Sequence, residues 1–206
     1  MSPDYTLYVC TDRDLMSSAT VEESVEKAIL GGAGVIQLRE KDASGRSFLQ
    51  IAESVHAITR RYGIPLIIND RVDIALAVGA EGVHLGQADI PARAARRIIG
   101  PDMILGVSAS SLEEARQAER DGADYLGVGA MNPTMTKSDA DTVTVDELKA
   151  IRAAVSIPIV IIGGINLGTI GHYKGIGVDG IAVVSAVVAA DDPERAAREL
   201  RAAWLA

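Results

Sequence analysis

The sequence predicts an α/β protein folded as a single-domain, compact (β/α)8 barrel. Three observations carry this reading. Strand-like and helix-like segments alternate eight times along the 206 residues, which implies parallel strands joined by crossovers. The apolar runs Leu66-Ile67-Ile68 and Ile159-Val160-Ile161-Ile162 read as strands buried on both faces. Polar residues gather after the strands rather than before them, where barrels of this type build their sites. A doubly wound open sheet is the alternative, but it would leave an edge strand of mixed pattern, and none stands out.

The elements follow in order. The first strand covers residues 5–10, and a helix over 21–30 stops at Gly31-Gly32. The second strand, 35–39, precedes a helix that Ser44 can cap and Gly63 can end. The third strand, 65–68, runs into Asn69-Asp70 and a short helix over 72–78. The fourth strand, 82–85, is followed by a helix over 91–99, with Pro91 in its first turn. The fifth strand, 103–107, leads to a helix capped by Ser110 or Ser111 and stopped by Asp121-Gly122. After the sixth strand, 125–128, a long loop spans 129–142 before a helix over 145–155. The seventh strand is 158–162, with a short helix after Asn166, and the eighth is 180–184. The last helix covers 193–205. Gly79-Ala80-Glu81-Gly82-Val83 and Gly122-Ala123-Asp124-Tyr125-Leu126 are weak repeats, each a helix stop feeding the next strand.

No linker or composition shift divides the chain, so one domain over residues 1–206 is expected. A net charge of −8 argues against nucleic acid as a bulk electrostatic partner. The single cysteine, Cys10, permits no internal disulfide and suits a reducing compartment. The apolar runs are too short to cross a bilayer, and the first residues resemble no secretion signal. A cytoplasmic protein with no membrane partner is therefore expected. No interface stripe stands out, so an oligomer is allowed but not predicted.

The organising stretch is Val35-Ile36-Gln37-Leu38-Arg39-Glu40-Lys41. Strand alternation puts Ile36 and Leu38 on one face and Gln37, Arg39 and Lys41 on the other. An amide, a guanidinium and an ammonium at a barrel mouth suit a phosphate-bearing ligand. Asp70 and Asp89 end adjacent strands beside this cationic wall, so their hard oxygens suit Mg²⁺ on a diphosphate. Each also precedes a helix, so N-capping is the competing role. Gly163-Gly164 and Ser185 follow strands seven and eight, the usual phosphate position in such barrels. A side chain at position 164 is expected to fill space that the phosphate needs. His84 should point into the barrel as a hydrogen-bonded core histidine. No zinc spacing and no Ser/His/Asp set is evident.

Gln37-Leu38-Arg39-Glu40-Lys41, Asn69-Asp70-Arg71, Gly82-Val83-His84-Leu85-Gly86-Gln87 with Asp89, and Gly106-Val107-Ser108 form an ordered series of blocks. Thr134-Met135-Thr136-Lys137, Gly163-Gly164-Ile165 and Val183-Val184-Ser185 continue it. Together they resemble the thiamine-phosphate synthase family over most of the chain. The resemblance implies a transferase that joins two small-molecule substrates. One is the diphosphate ester of 4-amino-5-hydroxymethyl-2-methylpyrimidine, the other 4-methyl-5-(2-phosphoethyl)thiazole, and pyrophosphate is released. It implies that Gln37, Leu38, Arg39, Glu40, Lys41 and Asn69 bind the pyrimidine diphosphate, together with Ser108 and Lys137. Asp70 and Asp89 would hold Mg²⁺. Thr134, Met135, Thr136, Gly164, Val184 and Ser185 would hold the thiazole phosphate. Arg39, Lys41 and Lys137 would be catalytic, neutralising the departing diphosphate. Ala130 and Asn132 depart from the family's pattern, standing where it usually has Pro and Phe. A thiazole tautomerase-like enzyme and a catalytically silent barrel that binds thiamine precursors are the alternative readings.

Overall fold

The computed structural model describes residues 3–133 and 142–206. Its strands are β1 (Leu7–Cys10), β2 (Val35–Leu38), β3 (Leu66–Asn69) and β4 (Gly82–Leu85). They continue as β5 (Ile104–Ala109), β6 (Tyr125–Val128), β7 (Ile159–Ile161) and β8 (Gly180–Val183). All eight pair in parallel in sequence order, and β8 closes onto β1. The helices between them are α1 (Val21–Leu30), α2 (Gly45–Tyr62), α3 (Val72–Val78), α4 (Ala92–Ile99), α5 (Leu112–Arg120) and α6 (Val145–Ala154). A 3-10 turn, Ile170–Tyr173, follows β7, and α7 (Ser185–Val188) and α8 (Pro193–Leu205) follow β8.

The local signals act as their chemistry dictates. Ser44 caps α2 by accepting from the Ser47 N–H, and Gly63 ends that helix with a left-handed φ of 69°. Ser111, not Ser110, caps α5. The short helix expected after Asn166 is a 3-10 turn, and α7 is an element the sequence did not announce. β5 runs two residues beyond its expected end, so Ser108 lies within the strand.

Alternation along each strand divides the core into two shells. Ile36 and Leu38 pack outward beneath the helices, while Val35 belongs to the barrel interior with Tyr8, Cys10, Ile67, Tyr125 and Val160. The interior is filled by pairing large residues with small ones. A Cβ on Gly106 would lie 2.2 Å from Cζ of Tyr125, so the tyrosine ring occupies the room that this glycine leaves.

The Gly-Ala-acid repeat explains how the N-terminal rim is held. Glu81, just before β4, accepts from the Leu66 N–H of β3 at 2.8 Å and pairs with His56 of α2. Asp124, before β6, accepts from Leu105 of β5 at 2.7 Å and pairs with Arg96 of α4. Asp179, before β8, accepts from Ile159 of β7 at 2.8 Å and pairs with Arg152 of α6. Gly177-Val178-Asp179 is thus a third copy of the repeat, and Gly32-Ala33-Gly34 is a fourth without its acid.

Candidate active site

A cavity of about 350 Å³ opens at the C-terminal end of the barrel. β2 sends Gln37, Arg39 and Lys41 into it, as strand alternation requires. Arg39 Nη1 lies 3.6 Å from Asp12, and the Arg39 N–H donates to the Thr11 hydroxyl at 3.0 Å. Two other members of the organising stretch point elsewhere. The Leu38 side chain is fully buried in the outer shell, so only its backbone is available to a ligand. Glu40 binds Arg13 through two 3.0 Å contacts and lines a small hollow beside the main cavity, shared with Lys41, Asn69 and Asp70.

Asn69 and Asp70 enter the cavity from β3, and Asp89 from the loop after β4. Neither aspartate caps a helix. α3 is preceded by Arg71 and α4 by Pro91, both without a side-chain cap. Asp89 instead accepts from the Gly86 N–H at 2.7 Å. Asp70 is the one non-glycine residue with positive φ among the described residues, at 64°. Asp tolerates this region better than most residues but at a cost in energy, and such backbone strain clusters at functional sites. Burial first, then the neighbouring Asp89 charge, push the Asp70 carboxyl up to about 6, against the pull of Arg39 and Lys41. The two carboxylates stand close enough for the charge on Asp89 to hold the proton on Asp70. Mg²⁺ commonly takes one or two protein carboxylates and completes its shell with water and phosphate oxygens. The pair therefore fits that ion, although no cluster of three or more ligating side chains exists among the described residues.

Ser108 lines the cavity from β5. Its Oγ lies 2.9 Å from His84 Nε2, and its carbonyl accepts from Gln87 Nε2 at 2.7 Å. His84 is a hydrogen-bonded interior histidine, as expected, with Nδ1 2.9 Å from the Tyr125 hydroxyl.

Across the barrel, Gly164, Val184 and Ser185 line the cavity from the ends of β7 and β8. Gly164 has φ 60°, and a Cβ there would meet Asn132 Cβ at 2.8 Å. The space a side chain at 164 would fill thus belongs to the neighbouring loop and is not open for a phosphate, contrary to expectation. Asn132 stitches the two loops together: its backbone N–H donates to the Gly163 carbonyl at 3.1 Å, and so does its side-chain Nδ2. Thr134, Met135, Thr136 and Lys137 lie outside the described residues.

Sequence reasoning passed over Tyr8 and Tyr125, which floor the cavity, and Asp12 beside Arg39. The available signal was alternation. Tyr8 shares a strand face with Cys10 and alternates with the apolar Leu7 and Val9.

A closed parallel barrel with cations, a carboxylate pair and a glycine turn facing one cavity at its C-terminal mouth defines a barrel enzyme for phosphorylated small molecules. Comparison with known proteins narrows this. The family model for thiamine monophosphate synthase matches residues 7–187. The chain belongs to that family. It is 60% identical over 198 residues to the thiamine-phosphate synthase of Clostridium beijerinckii, covering 96% of this chain and 95% of that one. It is 56% identical over 200 residues to the thiamine-phosphate synthase of Chloroflexus aurantiacus, covering 97% and 92%. The structure of thiamine phosphate pyrophosphorylase from Pyrococcus furiosus superposes with a TM-score of 0.91 at 44% identity, covering 98% of this chain and 96% of that one.

Proposed function

We propose that the chain couples the aminopyrimidine methyl diphosphate to the thiazole phosphate, forming thiamine phosphate and releasing pyrophosphate. One observation carries the reading: Arg39, Lys41, Asp70 and Asp89 share a cavity with Gly164 and Ser185, which stand on the far side of the barrel. That arrangement suits two phosphorylated substrates held apart at their phosphates and brought together at their rings.

Arg39, Lys41 and Lys137 grip the diphosphate and stabilise the negative charge that grows on it as the C–O bond breaks. Asp70 and Asp89 would hold Mg²⁺, which would supply further neutralisation of the leaving diphosphate. Gln37, Asn69 and Ser108 orient the pyrimidine, whose amino group supports positive charge at the methylene, and the backbone of Leu38 and Glu40 completes that pocket. The Gly164 turn, Val184, Ser185 and the segment Thr134, Met135 and Thr136 hold the thiazole phosphate, so that the ring nitrogen attacks the methylene from a fixed position. No protein nucleophile is required. The Cys10 thiol, pushed up to about 12 by burial, is neutral and takes no part.

The whole chain acts as one catalytic domain. Its partners are small molecules, without nucleic acid. Among the described residues no helix is long and apolar enough to cross a membrane, and we place the enzyme in the cytoplasm. Pyrophosphate release on mixing the two substrates with Mg²⁺ tests the reading. A tautomerase would convert its thiazole without the pyrimidine, and a silent barrel would bind both substrates without releasing anything.

A further inference from the structure

We propose that Tyr8, Tyr125 and His84 form a directional hydrogen-bond relay that fixes which polar atoms Gln37 and Ser108 present to the pyrimidine substrate. The inference deepens the function proposed above and rests on it for the identity of that substrate.

Four contacts run in series through the barrel floor. Gln37 Nε2 donates to the Tyr8 hydroxyl at 2.8 Å, and the Tyr8 and Tyr125 hydroxyls are 2.8 Å apart. Tyr125 is 2.9 Å from His84 Nδ1, and His84 Nε2 is 2.9 Å from Ser108 Oγ. The five residues come from β2, β1, β6, β4 and β5, so the relay ties together strands whose ends carry the substrate contacts.

Each phenol owns one proton, and this sets the order. Because Gln37 donates to Tyr8, the Tyr8 proton is left for the Tyr125 oxygen. The Tyr125 proton is then left for His84 Nδ1. His84 therefore carries its own proton on Nε2 and donates it to Ser108. The Ser108 O–H is released for the cavity, and the Gln37 carbonyl oxygen is its remaining acceptor. Reversing one link alone would set two donors or two acceptors face to face inside a buried network, which is costly. Tyr8 and Tyr125 are 1% and 0% exposed. Burial raises both phenols well above their ordinary value, so neither ionises and breaks the order. Two glycines keep the rings in place. A Cβ on Gly106 would strike Tyr125, and one on Gly127 would crowd His84 Cε1 at 3.0 Å.

The order matches the chemistry of an aminopyrimidine. A carbonyl acceptor at Gln37 suits an exocyclic amino group, and the Ser108 O–H suits an acceptor atom of the same substrate. A pyrimidine with an oxo group in place of the amine would set acceptor against acceptor. Its diphosphate should bind at least about a hundredfold more weakly.

¹⁵N NMR of the imidazoles at pH 8 reads the relay directly, since the chain has three histidines and the His84→Gln variant identifies the signals. The expected result is the Nε2–H form of His84. In Tyr125→Phe the signals should move towards the Nδ1–H form. KM for the pyrimidine diphosphate should rise about tenfold, with KM for the thiazole phosphate within twofold of the parent. Tyr8→Phe should give the same KM pattern. An Nδ1–H His84 in the intact protein overturns the relay, and so does an unchanged spectrum in Tyr125→Phe. Should Tyr125→Phe not fold, the parent spectrum and Tyr8→Phe still decide. An Nε2–H His84 in a protein that releases no pyrophosphate would overturn the proposed function and leave the hydrogen-bond order intact.

Discussion

The Tyr173 hydroxyl lies 3.0 Å from Asn132 Oδ1, and the other end of the same amide donates to the Gly163 carbonyl. A tyrosine of the 3-10 turn thereby holds the loop after β6 against the glycine turn after β7. Asn132 stands where the resemblance puts Phe, and in this chain that position carries a polar strut.

Removing the strut should loosen the phosphate turn. Tyr173→Phe takes the phenol donor from a half-buried amide oxygen, at a cost of about 0.5–1.5 kcal/mol. The expected outcome is a lower melting temperature and a several-fold higher KM for the thiazole phosphate, with the pyrimidine KM unchanged. Gly164→Ala attacks the same joint from its other side, because its Cβ would meet Asn132. Its effect and that of Asn132→Ala should combine less than additively. Full additivity in steady-state kinetics would mean that the two residues act apart.

The metal assignment predicts that EDTA abolishes pyrophosphate release and that Mg²⁺ restores it. Turnover that persists in excess chelator would remove Asp70 and Asp89 from that role.

The crowded carboxylates also predict an effect without any substrate. Asp70 is raised from 3.8 to about 6 in the folded protein. Between those values the folded state holds a proton that the unfolded state has lost, so stability of the metal-free protein falls as pH rises through this window. Asp70→Asn removes the penalty and keeps a residue tolerant of positive φ. In EDTA the variant should melt above the parent at pH 8, and the difference should vanish below about pH 4. Mg²⁺ should raise the melting temperature of the parent alone, and less so below pH 6, where the proton competes for the site. Thermal scans across pH with and without Mg²⁺ check all of this.

Lys137 lies outside the described residues, and its role rests on the sequence. If it stabilises the leaving diphosphate, Lys137→Ala should lower kcat by about 10²-fold or more with little change in the thiazole KM. A parental kcat would place the lysine outside the chemistry.

The barrel and the mouth were legible in the sequence because they rest on local patterns. Alternation alone sent Gln37, Arg39 and Lys41 inward and Leu38 outward. Helix stops such as Gly63 act through backbone conformation and need no distant partner. The relay through Tyr8 and Tyr125 was not legible, because its links join residues 117 and 41 positions apart and depend on barrel closure. The competing helix-cap role of Asp70 and Asp89 was credible on spacing. It fails because a left-handed turn at Asp70 and the Gly86 contact of Asp89 turn the carboxylates away from the helix ends. The side chain of Asn132 could not be placed by a motif from which it departs.

The Gly-Ala-acid joints recur with every second strand at the closed rim, away from the mouth where the cavity opens. Each acid clasps one strand to the next, so the ring is secured by separate fasteners rather than by one shared keystone. Damage to one, as in Asp124→Asn, should quicken amide hydrogen exchange in β5 and β6 and leave the strands fastened by Asp179 nearly as protected as before. Shape and chemistry are thereby stored at opposite ends of the same strands, and the residues that choose a ligand are free to diverge without reopening the ring.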